Sequence, residues 1–322
     1  MNSSIYAEVN TKFNKRKEQI KDLHEQRKQQ IYADIPEIRD IDDKLSSLAY
    51  KMFLDVTAGT EPSVAAENFR NTAVELNDKK KKLLAKAGFK PDFLARTYYC
   101  SKCGDTGLVD GKRCECYNKL LIKELMAHSN LSASMKKQTF DMFSLDYYSS
   151  EKYGREKITP ADNMKSILSE CIRFADEFGS ENKNFLFYGA PGLGKTFLSS
   201  AIANAVMQKG FTVLYQSAGA IFSELENIKF KNADTDFTAE ILNVDLLIID
   251  DLGTEFINSF TESELFRILN SRIIDEKSII INTNLSLSDV KKTYSDRVLS
   301  RILGNFDAFK FYGEDIRLKK ID

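Results

Sequence analysis

Tryptophan is absent from this 322-residue chain, and histidine occurs only at His24 and His128. Histidine-based catalysis and histidine metal binding are therefore not its main chemistry. No apolar run approaches the length needed to cross a bilayer. The opening residues Met-Asn-Ser-Ser-Ile-Tyr-Ala-Glu contain no signal-peptide core. The expected compartment is the cytoplasm, with no membrane partner. Excess charge is lacking too: 46 Lys and Arg stand against 47 Asp and Glu, a formal net charge of −1. Whole-molecule electrostatics do not advertise nucleic-acid binding, so any DNA contact has to come from a local patch. The chain holds no internal repeat and no low-complexity tract. What remains is 43% hydrophobic and 29% charged, the balance of a soluble globular chain long enough for two or three domains.

The first 95 residues read as helical. Tyr6, Phe13 and Ile20 fall at heptad spacing, with Val9 and Leu23 on the neighbouring stripe. Pro36 suits the first turn of a second helix, in which Ile38, Ile41, Leu45, Leu48 and Met52 step by three and four. Residues 57–63 form a loop. Phe69, Leu76 and Leu83 mark a third helix, which Gly88 and Pro91 end. Narrow stripes on charged helices fit a hairpin or small bundle, and they fit equally a surface that docks on a partner protein. The run Lys79, Lys80, Lys81, Lys82 reads as a solvated helix face, with phosphate contact as the alternative.

Four of the five cysteines lie within residues 100–116, as Cys100-x-x-Cys103 and Cys114-x-Cys116. Two close thiol pairs on neighbouring turns fit tetrahedral Zn²⁺, and Gly104, Gly107 and Gly111 supply the bends. A reducing compartment disfavours disulfides. Redox use of the first pair would leave the second unexplained. Residues 96–135 are thus expected to form a zinc module followed by a helix that begins near Tyr117. Cys171 reads as an ordinary buried cysteine.

From about residue 160 helix and strand alternate, which predicts an α/β domain over 136–322 with a parallel sheet. Strands are expected at 184–188, 212–216, 245–250, 278–283 and near 309–312. Between the first strand and a helix stands Gly189-Ala190-Pro191-Gly192-Leu193-Gly194-Lys195-Thr196, followed by Phe197. The pattern is that of a phosphate-binding loop. Its glycines let backbone N–H groups approach phosphate oxygens, Lys195 supplies a charge for the β- and γ-phosphates, and the Thr196 hydroxyl is placed for Mg²⁺. The expected ligand is a nucleoside triphosphate with Mg²⁺. The strand at 245–250 ends in two acids: Asp250 to hold Mg²⁺ through water, and Asp251 to act as base on the attacking water. On the next strand Asn284 is the choice for orienting that water. Asn282 reads equally well as a strand residue with its side chain satisfied nearby. Arg297 and Arg301, four apart, share a helical face and suit a phosphate on a neighbouring subunit. Arg317 follows the last strand.

With these motifs in place, the chain resembles the initiator-type AAA+ ATPases. More narrowly, it resembles the DnaC/DnaI helicase loaders and the related IstB transposition helpers. The resemblance rests on residues 184–196, 246–253, 279–285, 296–302 and 313–317, and spans about residues 136–322. It implies an AAA+ ATPase domain without a helical lid, with Asn284 as sensor 1, Arg301 as the arginine finger beside Arg297, and Arg317 as sensor 2. Whether Arg297 or Arg301 is the finger stays open. Residues 217–237 take the place of an extra helix linked in that family to single-stranded DNA. The cysteine cluster is similar to that of DnaI-type loaders, whose zinc-bearing N-terminal region contacts the replicative helicase. The resemblance thus implies ATP-dependent loading of a replicative DNA helicase, with single-stranded DNA and neighbouring copies of the chain as further partners. An IstB-like transposase helper, or a nucleotide-switched remodelling module that does not act on DNA, are the alternatives.

Overall fold

Continuous Val, Ile and Leu runs bounded by polar turns are what a strand covered on both faces requires, and the computed structural model places them at the centre of the α/β unit. It describes residues 2–231 and 237–318. Two compact units divide the chain: one runs up to Val9 and resumes at Glu115, and the other is Asn10–Cys114.

In the second unit lies most of helix α1 (Asn2–Asp34), which leads to α2 (Pro36–Thr57) and α3 (Pro62–Lys86). Proline opens both later helices, as the free N–H of a first turn permits. Ile31, Ile38 and Leu84 are fully buried, and Tyr32, Ile35, Phe89 and Phe93 pack round them. The lysine run is not uniformly solvated. Lys80 pairs with Asp42 at 2.6 Å, and Asp42 also accepts from the Tyr32 hydroxyl at 2.8 Å, so this lysine ties α3 to α2. A hairpin follows, β1 (Leu108–Val109) and β2 (Lys112–Arg113), turned at Asp110 and Gly111, both with positive φ. That is the type I′ geometry expected of Asp-Gly.

The first unit continues with α4 (Glu115–His128), short 3-10 turns over 135–147, and α5 (Pro160–Glu177), whose N-cap Thr159 accepts from the Asp162 N–H. Then come β3 (Phe185–Gly189), α6 (Lys195–Gln208), β4 (Val213–Ser217), α7 (Ala218–Lys231), α8 (Phe237–Asn243) and β5 (Leu246–Leu252). The unit closes with α9 (Ser259–Ile274), β6 (Ser278–Thr283), α10 (Leu287–Thr293), α11 (Asp296–Asn305) and β7 (Asp307–Phe311). Part of the expected extra helix, residues 232–236, lies outside the described residues.

The five strands β3 to β7 pair in parallel in the order β4-β5-β6-β3-β7. Leu186, Leu214, Leu247, Ile249, Ile279 and Ile281 share one face with residues of α7, α9 and α11. By alternation Phe185, Phe187, Ile248 and Ile280 fill the other, against α5 and α6. This order sets β5, β6 and β3 side by side, so the loops leaving their carboxyl ends meet. In open parallel sheets that edge is the ligand crevice.

Arg272 on α9 anchors the opposite edge. It is 0% exposed, and its guanidinium donates to the carbonyls of Ile241 (2.8 Å), Val244 (2.9 Å) and Ser278 (2.7 Å). Those carbonyls flank the starts of β5 and β6. Arg272→Met strands them without donors, and the expected loss is about 3 kcal/mol or more, read from urea unfolding.

Candidate functional site

The loop between β3 and α6 turns at Gly192 (φ +75°) and Gly194 (φ +94°). A Cβ on Gly192 would sit 1.9 Å from the Asp315 carboxylate, so both conformation and space demand glycine there. The loop is pinned from two sides. Ile316 N–H donates to the Gly192 carbonyl at 3.0 Å, and the buried Tyr148 hydroxyl donates to the Leu193 carbonyl at 3.0 Å. Lys195, at the first turn of α6, donates to the carbonyls of Gly189 (2.7 Å) and Ala190 (2.8 Å). Burial pulls its ammonium down to about 8, against the opposing pull of Asp251 and Asp250. A buried ammonium resting on two neutral carbonyls, beneath glycine N–H groups at a helix start, fits a phosphate anion.

Beyond the loop, β5 departs from regular pairing. Its register against β6 runs Ile249 to Ile281, then Leu252 to Thr283, so one extra residue is inserted at the two acids. Asp251 adopts φ +55°, a left-handed conformation that Asp tolerates better than most residues. Strict alternation would set the acids on opposite faces of the sheet; a bulge re-aims them. Asp250 turns inward and is 8% exposed. Its Oδ2 lies 3.3 Å from the Thr196 hydroxyl and accepts from Tyr215 at 2.7 Å. Its Oδ1 accepts from Asn282 (2.9 Å) and from the Asp251 N–H (3.0 Å). Thr196 and Asp250 thus form the oxygen pair that suits Mg²⁺. Asp251 faces a cavity of about 430 Å³ lined also by Pro191, Thr196, Phe197, Asn284 and Arg317. Burial first, then the Asp250 charge, raises the Asp251 carboxyl above the ordinary carboxylate value, while Lys195, Asn284 and Arg317 pull it down.

The structure sorts the remaining sequence candidates. Asn284 reaches Asp251 at 3.4 Å. Arg317 lines the cavity, and its charge acts on both Lys195 and Asp251. Arg297 and Arg301 line no part of the cavity: Arg297 is exposed on α11, and Arg301 lies over the Phe266 ring. Gln138, which the sequence marks only as the start of a polar–aromatic linker, also lines the cavity. The sequence does not single out Tyr215, a hydroxyl in an otherwise apolar strand, whereas Asn282 is a buried strand residue with its side chain satisfied nearby, by Asp250 and Ser199.

The cysteines come together as well. The Sγ atoms of Cys100, Cys103, Cys114 and Cys116 all lie within 4.8 Å of one another, with Cys100 and Cys114 at 3.8 Å. Zinc bonds of about 2.3 Å in a tetrahedron give sulfur–sulfur edges of about 3.8 Å. Asp105, 1% exposed, accepts from the backbone N–H groups of Tyr99 and Cys100, both at 2.8 Å, and so shapes the first cysteine turn. Among the described residues no helix is long and apolar enough to cross a membrane.

The chain is similar to known proteins over part of its length. Over 153 residues the chain is 30% identical to the replicative helicase loader DnaC of Escherichia coli strain K12, covering 45% of this chain and 60% of that protein. The chain thus spans only 60% of the length of that relative. Protein YdaV of the same strain is 25% identical over 199 residues, covering 60% of this chain and 75% of YdaV. Among solved structures, the DnaC helicase loader aligns with a TM-score of 0.47 at 24% identity, covering 56% of this chain and 100% of that one. The family model for IstB-like ATP binding proteins matches residues 159–321, just over half of the chain. That span takes in every residue lining the cavity except Gln138, and the chain belongs to the IstB-like ATP-binding proteins.

Proposed function

We propose that the chain is an ATP-dependent loader of a replicative DNA helicase, and that it hydrolyses ATP in doing so. One observation carries the reading: the cavity that joins Lys195, Asp251, Asn284 and Arg317 lies within residues 159–321, which match the IstB-like ATP-binding family, in a chain 30% identical over 153 residues to a replicative helicase loader. Lys195 and the loop N–H groups hold the β- and γ-phosphates. Asp251 takes a proton from the attacking water, which Asn284 orients, and Arg317 counters charge on the phosphoryl group. Thr196, and Asp250 through water, would hold Mg²⁺, which would supply charge neutralisation to the phosphoryl group. Single-stranded DNA is the expected second ligand. The test is capture of a purified hexameric helicase on the immobilised full-length chain, with and without ATP. Retention is the expected result, and no retention in either condition overturns the reading.

Two parts of the proposal have their own measurements. Arg301, remote from its own cavity, serves a neighbouring copy. Arg301→Ala should leave nucleotide affinity unchanged while turnover per chain ceases to rise with protein concentration. Turnover that still rises would remove that role. The cysteine cluster holds one structural Zn²⁺. The purified chain should release about one zinc per molecule to a thiol-reactive reagent, and Cys103→Ser should release none. Metal-free wild-type protein with an intact fold would remove zinc from the account.

A further inference from the structure

Tyr215 and Asn282 flank Asp250 from the two neighbouring strands. In the sheet register Tyr215 pairs with Ile248, so Tyr215 and Asp250 are diagonal neighbours on the face that α6 covers. Tyr215 is 5% exposed and Asn282 is 1% exposed. Each stands where an apolar residue would be expected: Tyr215 follows Val213 and Leu214, and Asn282 follows Ile279, Ile280 and Ile281. A buried hydroxyl or amide is destabilising unless it is hydrogen-bonded. Here both are bonded to the same carboxylate, one to each oxygen: Tyr215 to Oδ2 at 2.7 Å and Asn282 to Oδ1 at 2.9 Å.

The network extends into the phosphate-loop helix. Ser199 donates to the Asn282 Oδ1 at 2.8 Å. Among the side-chain donors around Asp250, Thr196 is the most distant, at 3.3 Å. That gap lies between the two oxygens that a divalent cation needs. A carboxylate at a strand end turns freely about its last torsion. Donors on both oxygens remove that freedom.

We propose that Tyr215 and Asn282 are positioning residues that hold the Asp250 carboxylate opposite the Thr196 hydroxyl. They thereby set the affinity of the site for its divalent cation, not for the nucleotide. The proposal rests on the magnesium–nucleotide reading above. Partners of this kind around a metal ligand change metal affinity by about tenfold to a hundredfold when removed.

The test uses the full-length chain, with Mn²⁺ as the probe and ADP as the nucleotide. Free Mn²⁺ is followed by electron paramagnetic resonance in the presence of saturating ADP. Affinity for a fluorescent ADP analogue is measured separately in EDTA. Tyr215→Phe removes one donor at constant shape, and Asn282→Leu removes the other. Each is expected to weaken Mn²⁺ binding in the ADP complex about tenfold or more. Metal-free ADP affinity should stay within about twofold of wild type. If the buried Asn282→Leu fails to fold, Tyr215→Phe decides alone. Unchanged Mn²⁺ affinity in folded Tyr215→Phe overturns the positioning role and leaves the nucleotide site standing. Wild-type protein that binds ADP but holds Mn²⁺ no more tightly with ADP than without it overturns both readings.

Discussion

Lys195→Ala is expected to weaken ATP binding by about a hundredfold or more, and turnover should vanish with it. The ammonium is the one buried cation of the phosphate loop, held by the carbonyls of Gly189 and Ala190 at 2.7 and 2.8 Å. Charge-assisted hydrogen bonds of this kind are worth about 1.5–3 kcal/mol each, and about 1.4 kcal/mol is tenfold in affinity. Two such bonds, to the β- and γ-phosphates, account for the expected loss. The same lysine gives binding a pH dependence. Burial holds its ammonium at about 8 in the free protein, and a phosphate beside it favours the charged form. ATP binding near pH 8.5 should therefore take up a proton, and affinity should fall as pH rises past about 8. Titration calorimetry in two buffers of different ionisation enthalpy measures this uptake directly. Equal heats in both buffers would contradict it, as would near-normal affinity in the Lys195→Ala variant.

Asp251→Asn is the second large effect, and its signature is opposite: ATP stays bound while turnover falls by about a thousandfold, within the range for loss of a general base. The amide keeps the size of the side chain and its place at the cavity, but it cannot accept a proton from water. Asn284, 3.4 Å from the Asp251 carboxylate, stays in place to orient the nucleophile. Burial and the Asp250 charge raise the Asp251 carboxyl. The acid limb of turnover should accordingly lie above the ordinary carboxylate range and disappear in the variant. Single-turnover hydrolysis across pH checks both points. Loss of binding equal to the loss of rate would place Asp251 in nucleotide recognition instead.

The phosphate loop is legible in the sequence because its chemistry is local. Eight consecutive residues set the turn, the charge and the hydroxyl, and the strand before them and helix after them are marked by periodicity. The paired acids are legible for the same reason, as a polar end to an apolar strand. Strand positions follow from apolar runs: the expected 278–283 matches β6, and the expected 245–250 misses the last two residues of β5 (Leu246–Leu252). Those residues, Asp251 and Leu252, lie in the bulge and just beyond it. Nothing local announces it, since the extra residue is defined by the pairing of β5 with β6.

Interactions between segments distant in the chain were equally hidden. Asp315 fills the space beside Gly192, and Tyr148 holds Leu193; both depend on tertiary approach. In the sequence Lys80 is one more lysine of a charged run, and its partner Asp42 lies 38 residues away. Tyr215 did have a signal, a polar tip in a buried strand, but its meaning depends on which strand lies next to β4. The sheet order supplies that meaning.

In the proposed function, ATP held in this cavity drives the loading of a ring-shaped helicase onto DNA. A closed circle of single-stranded DNA offers no end to thread, so a helicase ring becomes trapped on it only if the ring is opened. The measurement is the amount of helicase retained on such circles after a high-salt wash, with the chain present and with ATP, with ADP or with no nucleotide. Retention with ATP and the wild-type chain, reduced to background by Lys195→Ala, is the result this account predicts. Equal retention with and without the chain, or full loading by Lys195→Ala, would contradict it.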